Sequence, residues 1–169
     1  EGSVRDSLSL LDRALVTQHI TEKNIEEARY YLNIASNNGV DLAYHLLAEI
    51  EYDNKNSSRS EELWELSAKT GNTESMMRLA LLNRDKSSTR TEKWLQQAYD
   101  QGDPEAGVLL AVTVGEKKPK TFFRLANEAS NNGLDDGHFL KGWAHLNGIG
   151  TVKDVAYAKE SFAQCKTQP

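Results

Sequence analysis

Four glycines, Gly39, Gly71, Gly102 and Gly133, stand 32, 31 and 31 residues apart. Each carries the same small-residue surround. Four residues after each glycine come Ala43, Ser75, Ala106 and Gly137, and nine after come Ala48, Ala80, Ala111 and Gly142. Four before come Ala35, Ser67, Ala98 and Ala129, and the string Ala-Ser-Asn-Asn-Gly occurs at both 35–39 and 129–133. A fixed period of this size belongs to stacked supersecondary units, each too small to bury an apolar face alone.

Apolar residues recur at helical spacing along nearly the whole chain, and strand alternation is absent. The repeated glycine suits the end of a helix, where a residue must tolerate positive φ. Small side chains on both sides of that turn let two antiparallel helices approach closely. On this reading the +4 and +9 residues meet the −4 residue across the turn. Larger residues fill the rest of the seam: Leu47, Leu79 and Leu110 at +8, with Tyr31, Leu63, Trp94 and Leu125 at −8. The expected helices are 3–19 with 23–37, 41–53 with 59–70, 73–83 with 89–101, 104–114 with 119–131, and 135–147 with 153–166. The fold class is therefore all-α: a right-handed α–α superhelix of about five antiparallel helix pairs, in a single domain over 1–169.

Composition narrows the function. The formal net charge of −5 argues against nucleic acid and anionic membrane as principal partners, because both need clustered Lys and Arg. The one short basic cluster, Lys117-Lys118-Pro119-Lys120, falls between helices and reads as a solvated turn. No apolar run is long enough to cross a membrane. Cys165 is the only cysteine, so the chain forms no internal disulfide, and it reads as a packed small residue. The chain begins Glu1-Gly2-Ser3 without Met, as a processed or excised chain would.

Chemistry-bearing motifs are not found. The histidines are His19, His45, His138 and His145, and none lies in a His-x-x-x-His or Glu-x-x-His unit. No Gly-x-Ser-x-Gly appears, and Gly148-Ile-Gly150 lies between helices as a turn. Acid pairs such as Glu26-Glu27 and Asp135-Asp136 fall in first helical turns, where the helix dipole favours negative charge. The expectation is a non-enzyme without cofactor or metal. Trp64 and Trp94 read as core and Trp143 as partly exposed. Asn56-Ser57-Ser58 matches a glycosylation triplet, relevant only in a eukaryotic secretory protein.

The last unit runs Leu140-Lys-Gly-Trp-Ala-His-Leu-Asn-Gly148-Ile-Gly150-Thr-Val-Lys-Asp154-Val-Ala-Tyr-Ala158-Lys-Glu-Ser-Phe162. It resembles the Sel1-like repeat family, relatives of tetratricopeptide repeats. Gly142, Gly148, Gly150, Asp154, Ala158 and Phe162 fit the family pattern. His145 stands where an aromatic is usual and Lys141 where Leu is usual. The earlier units keep the helix ending and the small residues but lack the Gly-x-Gly loop.

What the resemblance implies is a scaffold or adaptor that binds a protein or peptide on its concave face. Such proteins act in bacterial envelope assembly, secretion or host contact, with a periplasmic or exported location expected here. The alternative is a polysaccharide-export or glycan-binding accessory factor that stacks sugars on Tyr30, Tyr44 and Trp143. In helix-pair solenoids the first helix of each pair lines the concave side. The candidate contact residues are then His45, Glu49, Tyr52, Met77, Arg78, His138 and Trp143, several of them types enriched at interfaces.

Overall fold

The computed structural model describes residues 22–165. Nine α-helices follow one another, with no strand among the described residues. They are α1 Glu22–Asn37, α2 Asp41–Asp53, α3 Ser57–Lys69, α4 Thr73–Asn83, α5 Ser88–Asp100, α6 Pro104–Val114, α7 Pro119–Asn131, α8 Asp135–Asn147 and α9 Val155–Ala163. The expected first helix, 3–19, lies outside the described residues. The expected last helix is shorter at both ends. At its start the Asp154 side chain accepts from the Tyr157 N–H at 2.9 Å, so Asp154 is the cap and not part of the helix.

The repeated glycine does one job four times. Gly39, Gly71, Gly102 and Gly133 all have positive φ. The N–H after each one donates to the carbonyl of the −4 residue: Val40 to Ala35, Asn72 to Ser67, Asp103 to Ala98 and Leu134 to Ala129. Each glycine N–H donates three residues back, to Ser36, Ala68, Tyr99 and Ser130. This pair of bonds is a Schellman ending, and it satisfies carbonyls a helix end would otherwise leave open. The chain then restarts at once. Asp103 accepts from the N–H groups of Glu105 and Ala106, with Pro104 in the first turn, and Asn72 accepts from the Ser75 N–H at 2.7 Å.

Contacts divide the chain into two compact units between Leu79 and Ala80. In the first, α1 packs on α2 and α2 on α3, around Leu32, Leu47, Leu63, Trp64, Met76 and Leu79. In the second, each helix from α5 to α9 packs on the next, around Leu95, Leu110, Phe122, Leu125 and Leu140. Packing by chain neighbours is the contact pattern of repeat architectures.

The small residues are buried as expected, but the register of the +9 position differs from the sequence reading. The +4 residue does meet the −4 residue: a Cβ on Gly137 would stand 2.7 Å from Ala129 Cβ and closer still to the Ala129 and Ser130 backbone. The +9 residue faces the following helix instead. A Cβ on Gly142 would meet the Phe162 ring of α9 at 2.7 Å, and the Ala80 carbonyl accepts from Thr91 Oγ1 of α5 at 3.4 Å. Positions five apart on an α-helix differ by about 140° around its axis, so they serve two neighbours.

The loop after α8 gives the family-like residues physical roles. Gly148 ends α8 in the left-handed region. Gly150 passes against the start of α7, where a Cβ would meet the Pro119 carbonyl and, at 2.9 Å, Phe123 Cβ. Asp154 donates its N–H to the His145 carbonyl at 2.8 Å before capping α9. Ala158 and Ile149 are buried.

Candidate partner-binding face

Four of the seven candidate residues converge in the first unit. His45 and Glu49 lie one turn apart on α2. His45 Nδ1 is 2.8 Å from Ser75 Oγ, and its Nε2 faces Glu74 at 3.5 Å and Glu49 at 4.0 Å. Glu49 accepts from Trp64 Nε1 at 3.1 Å on one oxygen and pairs with Arg78 at 3.0 Å on the other. The Trp64 ring lies 5.3 Å from the ring of Tyr52, which is exposed. Met77, on α4, is half-buried.

His45 corrects the sequence reading. It is only 4% exposed and spends its ring nitrogens on side chains of α4. A buried polar side chain needs such partners, and a surface contact residue does not. Glu49 and Arg78 are likewise committed to each other at the edge of the core. The group ties α2, α3 and the start of α4 together, and Tyr52 is its accessible rim.

The other two candidates lie on α8 in the second unit. His138 is half-buried, with Nδ1 2.9 Å from Ser130 Oγ. Trp143 is 43% exposed, and Phe139, one turn before it, is 51% exposed. Of the proposed sugar-stacking residues, Tyr30 is exposed like Trp143, whereas Tyr44 is half-buried.

Sequence reasoning named Glu49 and Trp143 one by one and missed the column they belong to, the +10 position. It holds Leu81, Val112 and Trp143 in three successive repeats, with exposures of 52%, 59% and 43%. All three belong to the second unit and to the first helix of a pair. One residue earlier, at +9, the side chain is buried against the next helix. A 100° step around the axis therefore carries the +10 side chain out of the seam. The signal was in the same periodicity, one residue beyond the small-residue column. In the first unit the +10 residue is Glu49, which is drawn into the His45 group.

A second polar group was also missed. Tyr99 of α5 donates its hydroxyl to Glu128 of α7, and Arg124 reaches both, at 3.1 Å to the Tyr99 oxygen and 3.0 Å to each Glu128 oxygen. It borders a cleft of about 370 Å³, lined also by Pro104, Gly107, Asn131 and Asn132. The hydrogen bond to Glu128, with burial, raises the Tyr99 pKa above its usual value of 10.0. Burial pushes Glu128 upward, but the hydrogen bonds from Tyr99 and Arg124 and the Arg124 charge together hold it below 4.5.

The two shifts give a pH window. Glu128, with its lowered folded-state pKa, contributes stability above about pH 4.5 that is lost as pH falls through the lower folded value. Tyr99, with its raised pKa, contributes below pH 10 and loses that contribution as pH rises through its folded value. Both groups are open to solvent, and screening keeps each contribution under ~1 kcal/mol. Tyr99→Phe is expected to remove the alkaline decline in Tm that this group causes, without moving the acid limb due to other carboxylates. An unchanged alkaline limb in thermal melts at pH 9–12 would show that the bond does not stabilise the fold.

Among the described residues no three or more His, Cys, Asp or Glu side chains gather as metal ligands, and no helix is long and apolar enough to cross a membrane. Cys165 is half-buried, with Sγ 3.6 Å from the Asp135 carbonyl. Burial and the charges of Asp135 and Asp136 raise its thiol pKa, which lowers the reactive thiolate fraction.

No protein-family model matches the sequence, and no curated protein matches it. Solved structures do. A Sel1 repeat protein from Oxalobacter formigenes superposes with a TM-score of 0.80 at 18% identity, over 96% of this chain and 51% of its own. A sel1 repeat protein from Klebsiella pneumoniae subsp. pneumoniae superposes with a TM-score of 0.54 at 17% identity, over 79% of this chain and 71% of its own. The chain thus spans about half the length of the Oxalobacter protein. With the nine helices of its described residues, its four matching helix endings and these superpositions, the chain has the fold of the Sel1 repeat proteins, an all-α repeat solenoid.

Proposed function

We propose that this chain is a non-enzymatic scaffold that holds a protein or peptide partner on the first helices of its pairs. The observation that carries this reading is the +10 column. Three consecutive repeats each leave an apolar side chain in solvent at the same register, Leu81, Val112 and Trp143. A single exposed apolar residue needs no explanation, but one repeated with the structural period marks a surface kept for contact. The polar groups that resemble sites, around His45 and around Tyr99, are internally paired and serve packing. As part of the same proposal, the chain's work lies in bacterial envelope assembly, secretion or host contact, in the periplasm or beyond. Exposed Tyr30 and Trp143 favour a glycan as the second reading.

The test is affinity capture from the native host's extract, comparing the wild type with Leu81→Asp, Val112→Asp and Trp143→Ala combined. Circular dichroism first establishes equal helicity. A protein held by the wild type and lost from the variant is the expected result. A protein held equally by both would place the interface elsewhere, and a preference for immobilised glycan lost with Trp143→Ala would favour the second reading.

A further inference from the structure

The exposed apolar positions of the second unit have a charged companion. Seven residues before Val112 stands Glu105, and seven before Trp143 stands Asp136; both are exposed. Seven residues of helix rise about 10 Å and return to nearly the same face. Phe139, between Asp136 and Trp143, lies on that face as well. The helix dipole explains why a carboxylate is tolerated in a first turn. It does not explain the distribution. First turns of α4, α6 and α8, the first helices of their pairs, carry Glu74, Glu105 and Asp135 with Asp136. Among the second helices of the second unit, the first turns of α5, α7 and α9 carry no acid, although Asp154 caps α9. Within this unit the first-turn carboxylates therefore gather on the first helices, the helices that bear the apolar column.

No opposite charge on α6 offsets it, because Glu105 is the only charged residue of that helix. On α8 the single lysine, Lys141, lies over the Tyr157 ring of α9 at 5.4 Å. The face therefore pairs an anionic edge with an apolar column about 10 Å away, once on α6 and once on α8.

Resting on the scaffold reading, we infer that the occupant of this face is a cationic–apolar peptide segment of the partner. Its Lys or Arg side chains meet Glu105 and Asp136, and its apolar side chains cover Val112, Phe139 and Trp143. An extended peptide covers about 10 Å in three residues, so the fitting pattern is a cation followed three residues later by an apolar residue. Complementary charge fixes register and rejects wrong partners, and the buried aromatic and aliphatic contacts supply most of the affinity.

The experiment uses three fluorescein-labelled synthetic peptides with the purified chain: (Lys-Ser-Ser-Leu)₃, (Glu-Ser-Ser-Leu)₃ and (Lys-Ser-Ser-Ser)₃. Fluorescence anisotropy is expected to give the first an affinity at least ~10-fold above either other. Glu105→Gln with Asp136→Asn is expected to remove most of the preference for Lys over Glu. Trp143→Ala is expected to remove most of the preference for Leu over Ser. A control with the same net charge, Asp53→Asn with Glu160→Gln, is expected to bind like the wild type. Equal binding of the Lys-Leu and Glu-Leu peptides would overturn the inference, as would an equal loss in the control, which would reduce the effect to overall charge. If the host partner is lost on the Val112→Asp combination while the peptides show no charge preference, the charge assignment fails and the scaffold reading stands. If the variant also keeps its host partner, both fail.

Discussion

Trp64→Ala is expected to lower the unfolding free energy by about 3–5 kcal/mol, the usual cost of deleting a large buried aromatic side chain. Trp64 is 1% exposed, so the whole indole volume is lost from the core. The Tyr52 ring loses its partner at 5.3 Å and Glu49 loses a donor. Glu49 keeps its pairing with Arg78, so the carboxylate is not left unsatisfied. Trp64→Phe separates the two contributions. It retains most of the apolar volume and removes the hydrogen bond with a small part of the ring system, for about 1–2 kcal/mol. Urea unfolding followed by circular dichroism checks both. If alanine costs no more than phenylalanine, the tryptophan is not filling the space that its burial implies.

Gly137→Ala is expected to destabilise the second unit by about 1–3 kcal/mol through overpacking. The sign is the informative part. In an ordinary helix interior, alanine is better than glycine by about 1 kcal/mol. Here the new methyl would press into the Ala129 and Ser130 backbone of α7, which cannot move without opening the Schellman turn at Gly133. Gly142→Ala is the internal comparison. The three atoms nearest its methyl all belong to the half-buried Phe162 ring, a side chain and not backbone, so a smaller loss follows. A Tm raised by Gly137→Ala would mean that the two helices are not in close contact.

Much of this architecture was legible because one constraint recurs. A glycine that must adopt positive φ, with an alanine, serine or glycine four residues to each side, prints a 31- to 32-residue period that needs no alignment to see. Core assignments at −8 and +8 followed: Leu47, Leu63, Leu79, Trp94, Leu110 and Leu125 are buried, and Tyr31 is half-buried. The partner of the +9 column did not follow, because periodicity gives an angle around a helix and not which neighbour fills it. Phe162 and Thr91 answer that only in three dimensions. His45 misled for a related reason. Its position on the first helix faces outward in a generic repeat, yet Ser75 and Glu74 of α4 draw it inward. The Tyr99–Arg124–Glu128 group was invisible because Tyr99 stands 25 and 29 residues before its two partners in sequence. Leu81 and Val112 were not singled out in the sequence, and their exposure is what distinguishes them.

The central claim is that successive +10 side chains meet a partner. Photocrosslinking tests it most directly, with a benzophenone amino acid placed singly at positions 81, 112 and 143. Two further probes at Gln97 and Lys159, exposed on second helices, serve as references. The account predicts that one partner crosslinks from 112 and 143, and from 81 if its segment extends that far, while 97 and 159 stay silent. Crosslinks to that partner from 97 or 159, with none from 112 and 143, would contradict it.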